Sequence, residues 1–407
     1  MSNKGWRFDE RELGYVKEVL DSGFAAATSG SMCQRFEGKF AEKVGAKYGV
    51  AFNSGTSTMH SCLASAGVGP GDEVIVPALT VISTANVVMH QNAIPVFADI
   101  SADTFNINPE DVERKITPRT RAIIPVSLYG LSPDFDPLLE LAKKYGLTII
   151  EDNAQSPLAS YKGKSLGSIG HMASFSFENS KHMTTGDGGM VTTNDEVLAQ
   201  KCRKHGSQGF AAIEAADGRV RINKDVFQDP DYKRHDAFGW NYRMPEVAAA
   251  VGLAQLDKID FFVSLRQKIA ALYQEVIAGC DWLIPQYVPE GYTNAYYTFA
   301  AKFEGKDVGI SWKDFRNKYM EYGGEGIYAA WSVVYLETVF QTRNFYGKGC
   351  PLNCPLYKGT IDYEKGLCPV AEEIQPKIMQ FVNNYSSIEE AEPKVEALRK
   401  TINFYGE

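Results

Sequence analysis

Between residues 48 and 193, short apolar runs alternate with segments whose apolar positions recur every three or four residues. The runs at 48–53, 73–77, 94–99, 121–126 and 147–151 have strand length and are nearly continuous in apolar side chains, as expected of strands covered on both faces. Segments 57–66, 84–90 and 136–145 lie between them and predict helices. In the last of these Leu138, Leu139, Leu141 and Ala142 supply the apolar stripe. Strand and helix in alternation predict a parallel α/β sheet. Two more strands, 172–177 and 189–193, follow with no helical pattern between them, so an antiparallel or irregular part is expected there. Residues 213–237 are polar and read as a long surface excursion. A helix is expected from near Met244 through Val247, Val251, Leu253, Leu256 and Ile259. Beyond that the pattern predicts an α+β region closing with helices over 372–383 and 388–402. The expected division is a large domain, 1–260, and a small one, 261–407.

Composition narrows the function classes. The chain has 407 residues, 44% hydrophobic and 23% charged, with a net charge of −8. That balance leaves no basic excess to neutralise a phosphate backbone, so nucleic acid is not an expected partner. No run of about 18 uncharged apolar residues is present, so no membrane-spanning helix is expected. The first ten residues lack the apolar stretch of a signal peptide. Seven cysteines, an odd number scattered through the chain, suit a reduced protein, and the cytoplasm is the expected compartment.

Four segments carry candidate chemistry. Asn53-Ser54-Gly55-Thr56-Ser57 sits where a strand opens a helix. Small residues there let backbone N–H groups approach an anion, although plain helix capping uses the same residues. Glu151-Asp152-Asn153-Ala154-Gln155 follows an apolar strand, at the edge where parallel sheets bind ligands. An Asp there suits a protonated pyridine nitrogen, or merely caps the next helix. Lys181 lies between two strands, after Ser174-Phe175-Ser176-Phe177 and before Thr184-Thr185-Gly186-Asp187-Gly188-Gly189. Placed inside a site, its amine would lose its proton and become nucleophilic. Gly239-Trp240-Asn241-Tyr242-Arg243-Met244 offers Asn241 and Arg243 as donors to a phosphate or carboxylate, with capping by Asn as the alternative.

These segments, together with Gly71-Asp72-Glu73-Val74-Ile75-Val76-Pro77, Tyr129-Gly130 and Cys368-Pro369-Val370-Ala371-Glu372, resemble the DegT/StrS family of pyridoxal-phosphate (PLP) sugar aminotransferases. The matches cover most of the chain in the family's order. The resemblance implies a type I aminotransferase fold, a large α/β domain with a mixed, mostly parallel sheet and a smaller α+β domain. It also implies PLP, and its pyridoxamine form, as cofactor. Lys181 would carry the cofactor as a Schiff base and move the proton, and Asp152 would hold the pyridinium. Gln155 would contact the ring hydroxyl, and Gly55, Thr56 and Ser176 would bind the phosphate. Asn241 would reach the phosphate of a neighbouring subunit, which makes a homodimer with shared sites. The implied reaction moves an amino group from an amino acid, L-glutamate by analogy, to a keto-sugar, most often nucleotide-linked.

The sequence also departs from the family pattern. Val81 stands after Thr80 where an aromatic residue is common, Ser127 replaces a His before Leu128-Tyr129-Gly130, the 213–237 excursion is long, and a Leu-Pro turn is missing near 379–385. Sugar dehydratases and glutamine-using cyclitol aminotransferases remain the alternatives. One dehydratase branch puts His in place of the lysine, whereas here Lys181 is kept and His182 reads as a neighbour that shapes the pocket or is merely packed. Cys350, Cys354 and Cys368 lack a fourth partner for an iron–sulfur cluster, so no metal is expected.

Overall fold

The computed structural model describes residues 4–24, 31–216 and 223–406. Its main sheet has seven strands: β1 (Tyr48–Phe52), β2 (Glu73–Pro77), β3 (Ile94–Ala98), β4 (Thr120–Ile123), β5 (Thr148–Asp152), β6 (Met172–Ser176) and β7 (Gly189–Thr193). Their order across the sheet is β1-β7-β6-β5-β4-β2-β3. Only β7 runs antiparallel to its neighbours, so the irregularity expected between 172 and 193 is one reversed strand. Successive side chains enter opposite cores. Val74 and Val76 face one cluster while Ile75 faces the other, and Ile150 and Ile149 divide likewise. That two-sided burial is why these strands are apolar throughout rather than alternating.

Helices α1 (Glu10–Asp21), α2 (Met32–Val44), α3 (Gly55–Ser65), α4 (Ser83–His90), α5 (Phe135–Tyr145), α6 (Glu196–Gly206) and α7 (Glu246–Leu256) cover the two faces. α3 is buried almost all round because α4, α6 and β6 pack against it. The helix expected to continue from Met244 through Ile259 is broken at 257–258. There Lys258 Nζ turns back to Glu12 Oε1 at 2.6 Å and to the Arg7 carbonyl at 2.9 Å. A second helix, α8 (Ile259–Ile277), then starts.

A four-stranded antiparallel sheet follows, β8 (Leu283–Pro285), β9 (Phe299–Phe303), β10 (Tyr328–Ala329) and β11 (Ile378–Phe381), in the order β8-β9-β11-β10. It packs on α8, α9 (Trp312–Glu321) and α10 (Ile388–Gly406) around Phe299, Phe315, Tyr273 and Phe381. The helix expected over 372–383 is therefore wrong for its second half. A short helix spans Pro369–Ile374, and all four residues of β11 are buried between β9 and β10. A fully buried strand shows no alternation, so its apolar run passed for helix. Residues 331–374 pack on the first core instead: Val333, Tyr335, Phe340, Tyr363 and Cys368 join Phe97 and the β2 side chains. The 213–237 excursion is mostly exposed where described and carries a short helix, Lys224–Gln228; residues 217–222 fall outside the described residues. Among the described residues no helix is long and apolar enough to cross a membrane.

Candidate active site

The C-terminal ends of the parallel strands and the N-terminus of α3 share one edge of the main sheet, where open α/β sheets bind ligands. Asp152 closes β5. Its backbone is fixed on both sides, with its N–H donating to the Pro125 carbonyl at 2.9 Å and its carbonyl accepting from Ser127 at 3.0 Å. The carboxylate is buried. Oδ2 accepts from the Thr84 hydroxyl at 3.0 Å and Oδ1 from the Ala154 N–H at 3.2 Å. Burial pushes its carboxyl up, and the Ala154 N–H, the Thr84 hydroxyl and the charge of Lys181 pull it back. Thr80 supports Thr84 from behind at 3.2 Å. Neither threonine was singled out by sequence reasoning; both sit one turn apart where α4 begins.

The segment between β6 and β7 brings in Lys181. Its Nζ lies 4.7 Å from the centre of the Tyr297 ring, and Tyr297 in turn hydrogen-bonds Ser180 through its hydroxyl at 2.9 Å. His182, beside it, is buried with Nε2 on the Ala295 carbonyl at 2.8 Å, while Nδ1 has no hydrogen-bond partner. Burial holds its imidazole well below the usual histidine range, so it is packed and neutral. Gln155 is buried too, and its Oε1 accepts the Tyr129 N–H at 2.7 Å. That bond orients the side chain, whose amide N–H groups can serve a ligand as donors.

The anion cradle is built at the start of α3. Ser54 caps the helix by accepting from the Ser57 N–H at 3.1 Å, which leaves the first-turn amides of Gly55 and Thr56 without intrahelical partners. Gly55 packs against Ser176: a Cβ on it would come within 2.8 Å of the Ser176 Cβ. Gly189 lies equally close behind, where a Cβ would meet the Ser54 carbonyl at 2.6 Å. Free amides, a nearby hydroxyl and the positive end of a helix suit a phosphate. Asn241 stands apart from this group. Its side chain is exposed, and its segment is laced between α6 and β1 by Tyr242 N–H to Gly206 O and Asn53 N–H to Tyr242 O, both at 2.8 Å.

These features fit PLP. Asp152 is a buried carboxylate with no cation in ion-pair contact among the described residues, the state in which a pyridinium partner would relieve the cost of burial. The places where the chain departs from the family pattern are absorbed locally. Ser127 is buried and donates to Asn153 Oδ1 at 2.9 Å, and Val81 is half-buried at the entrance to α4. Cys368 packs its thiol on the Phe97 carbonyl at 3.6 Å, while Cys350 and Cys354 are half-buried.

A family model described as the DegT/DnrJ/EryC1/StrS aminotransferase family matches residues 7–323. The GDP-perosamine synthase of Caulobacter vibrioides is 41% identical over 273 residues, 67% of this chain and 68% of the relative. Among solved structures, the aminotransferase from Psychrobacter cryohalolentis superimposes with a TM-score of 0.84 at 30% identity, covering 98% of each chain. DesV of S. venezuelae, solved in complex with a ketimine intermediate, gives 0.79 at 28% identity over 96% of this chain and 94% of its own.

Proposed function

Because the chain belongs to the DegT/DnrJ/EryC1/StrS aminotransferase family and is a PLP-dependent aminotransferase, we propose that it moves the amino group of L-glutamate onto a nucleotide-linked keto-sugar. The acceptor class is supported by its similarity to the GDP-perosamine synthase. One observation carries the proposal: a buried carboxylate, a lysine whose charge acts on it, and a helix N-terminus whose Gly55 and Thr56 amides have no intrahelical partner meet at one sheet edge.

PLP, when bound, supplies a carbonyl carbon that exchanges amino groups and a ring that accommodates the electrons of a broken C–H bond. The protein does the rest. Lys181 would attach the cofactor and, once displaced by the donor's amine, would move a proton from the donor α-carbon to the cofactor's carbonyl-derived carbon, and in the opposite sense when the acceptor is aminated. Asp152 keeps the ring nitrogen protonated. Thr84 and the Ala154 N–H hold that carboxylate in place. Gln155 donates an N–H to the ring hydroxyl, and the Gly55 and Thr56 amides with the Ser176 hydroxyl bind the phosphate. Asn241, exposed on one chain, completes the phosphate site of a second copy in a homodimer. All seven cysteines are unpaired thiols, in keeping with the cytoplasm as the working compartment.

The test is the two half-reactions. Protein loaded with PLP and given L-glutamate releases 2-oxoglutarate stoichiometrically, and the resulting pyridoxamine form converts a nucleotide-linked keto-sugar to its amino-sugar. Release of water from the sugar without amino transfer would favour a dehydratase, and turnover only with glutamine and a cyclitol ketone would move the acceptor class.

A further inference from the structure

Arg7 is a charged side chain that the mechanism above does not use, yet it is buried. Its Nη1 donates to the Asn179 carbonyl at 2.9 Å, and its Nη2 donates to the carbonyls of Lys181 at 2.7 Å and His182 at 3.0 Å. One guanidinium thus holds three carbonyls around the lysine that attaches the cofactor. The planar fork of an arginine suits this task, since it offers several N–H donors in fixed directions.

The clamp is anchored in turn. The Arg7 carbonyl accepts from Gln255 Nε2 at 2.6 Å and from Lys258 Nζ at 2.9 Å. Both of those groups also bind Glu12 Oε1 on α1, at 2.7 Å and 2.6 Å, and Gln255 Oε1 accepts the Thr184 N–H at 3.4 Å on the far side of the lysine segment. Trp6 packs edge-on against Phe262 at 5.5 Å. Among the described residues Arg7 makes no ion pair with a carboxylate, and burial lowers its guanidinium to about 10, opposed by Glu178. Its hydrogen bonds go to backbone carbonyls, with the Phe262 ring 5.9 Å from the guanidinium carbon, and burying a cation without a counter-charge is costly.

We propose that Arg7 is a positioning residue that fixes the backbone of 179–182, and so the reach of the Lys181 amine toward the cofactor. The N-terminal turn is then part of the catalytic apparatus, although it touches neither cofactor nor substrate. This rests on Lys181 as the attachment lysine. Small displacements of a reacting group cost rate steeply, up to about a hundredfold for 1 Å.

The test compares wild type, Arg7→Met and Arg7→Lys as PLP-loaded proteins. Each is measured for kcat and KM and for amide hydrogen exchange across 178–186, with β6 and β7 as internal references. Arg7→Met lowers kcat by about tenfold to a hundredfold with KM little changed, and exchange quickens in 178–186 alone. Arg7→Lys, which keeps the charge but loses the fork, falls between. Unchanged kcat and exchange in Arg7→Met would overturn the proposal, and so would faster exchange spread through β6 and β7, which marks a role in overall stability. If Arg7→Met does not fold, Arg7→Lys decides by the same readouts. Borohydride reduction of wild type, followed by peptide mapping, separates the two claims. Label on another lysine breaks the premise, whereas label on Lys181 with unaltered variants breaks only the clamp.

Discussion

The Thr84 hydroxyl donates to Asp152 Oδ2 at 3.0 Å, and both side chains are buried. The contact fills one acceptor site of a carboxylate whose burial works against its charge, and it fixes the oxygen's direction. A hydrogen bond to a charged group contributes about 1.5–3 kcal/mol. Thr84→Val, which keeps the shape and removes the hydroxyl, is expected to lower kcat by roughly tenfold to a hundredfold, and Thr84→Ser is expected to stay near wild type. Steady-state kinetics on the two variants check this. Asp152→Asn should lose more than Thr84→Val while still retaining PLP.

The cradle makes a separate prediction. Gly55→Ala would drive a methyl group to within 2.8 Å of the Ser176 Cβ. Relieving that clash has to shift the Ser176 side chain or the start of α3, and the variant should bind PLP at least about tenfold more weakly, about 1.4 kcal/mol. Titration of the cofactor-free protein by fluorescence measures it.

Much of the fold was legible because most main-sheet strand positions are buried on both faces, and continuous apolar runs such as Val74-Ile75-Val76 announce that directly. The same property misled at 378–381, where a buried strand follows a short helix and Pro376. The break at 257–258 was not legible, since it depends on Lys258 meeting Arg7 and Glu12 some 250 residues earlier in the chain. Lys181 and Asp152 stood out by their motifs. Thr84 and Arg7 did not, because each acts on a partner brought near only by folding: Asp152 is 68 residues from Thr84, and Lys181 is 174 from Arg7.

Stability should depend on the ion pair between Arg203 and Glu37. The two meet bidentately at 2.8 Å and 3.0 Å, both buried, and Arg203 also serves the Gly49 and Ala215 carbonyls. Arg203→Met leaves the Glu37 carboxylate buried without its cation, and a loss of about 3–5 kcal/mol is expected. Urea unfolding of the variant, with the slope compared to wild type, checks it.

Acid sensitivity should come from histidines. Burial, aided by His205 and His90, holds His60 down to about 3, and burial holds His205 down to about 4. His60 accepts or donates at Tyr242 OH over 3.0 Å, and His205 at Ser61 Oγ over 2.9 Å. The unfolded chain, with histidines near 6.5, therefore binds more protons than the folded one below that pH. Stability falls as pH drops from about 6.5 toward 4, and these two groups contribute no pH dependence above that range. Thermal unfolding of wild type between pH 7 and pH 5 should show a falling Tm, with a shallower fall in His60→Asn.

The central claim is that Lys181 is the residue to which the cofactor is bound. The PLP-loaded protein, reduced with borohydride, digested and mapped by mass spectrometry, should carry the phosphopyridoxyl group on the peptide containing Lys181 and on no other, and Lys181→Ala should carry none. A stable adduct on a different lysine, or a Lys181→Ala variant that labels as wild type does, would contradict the account.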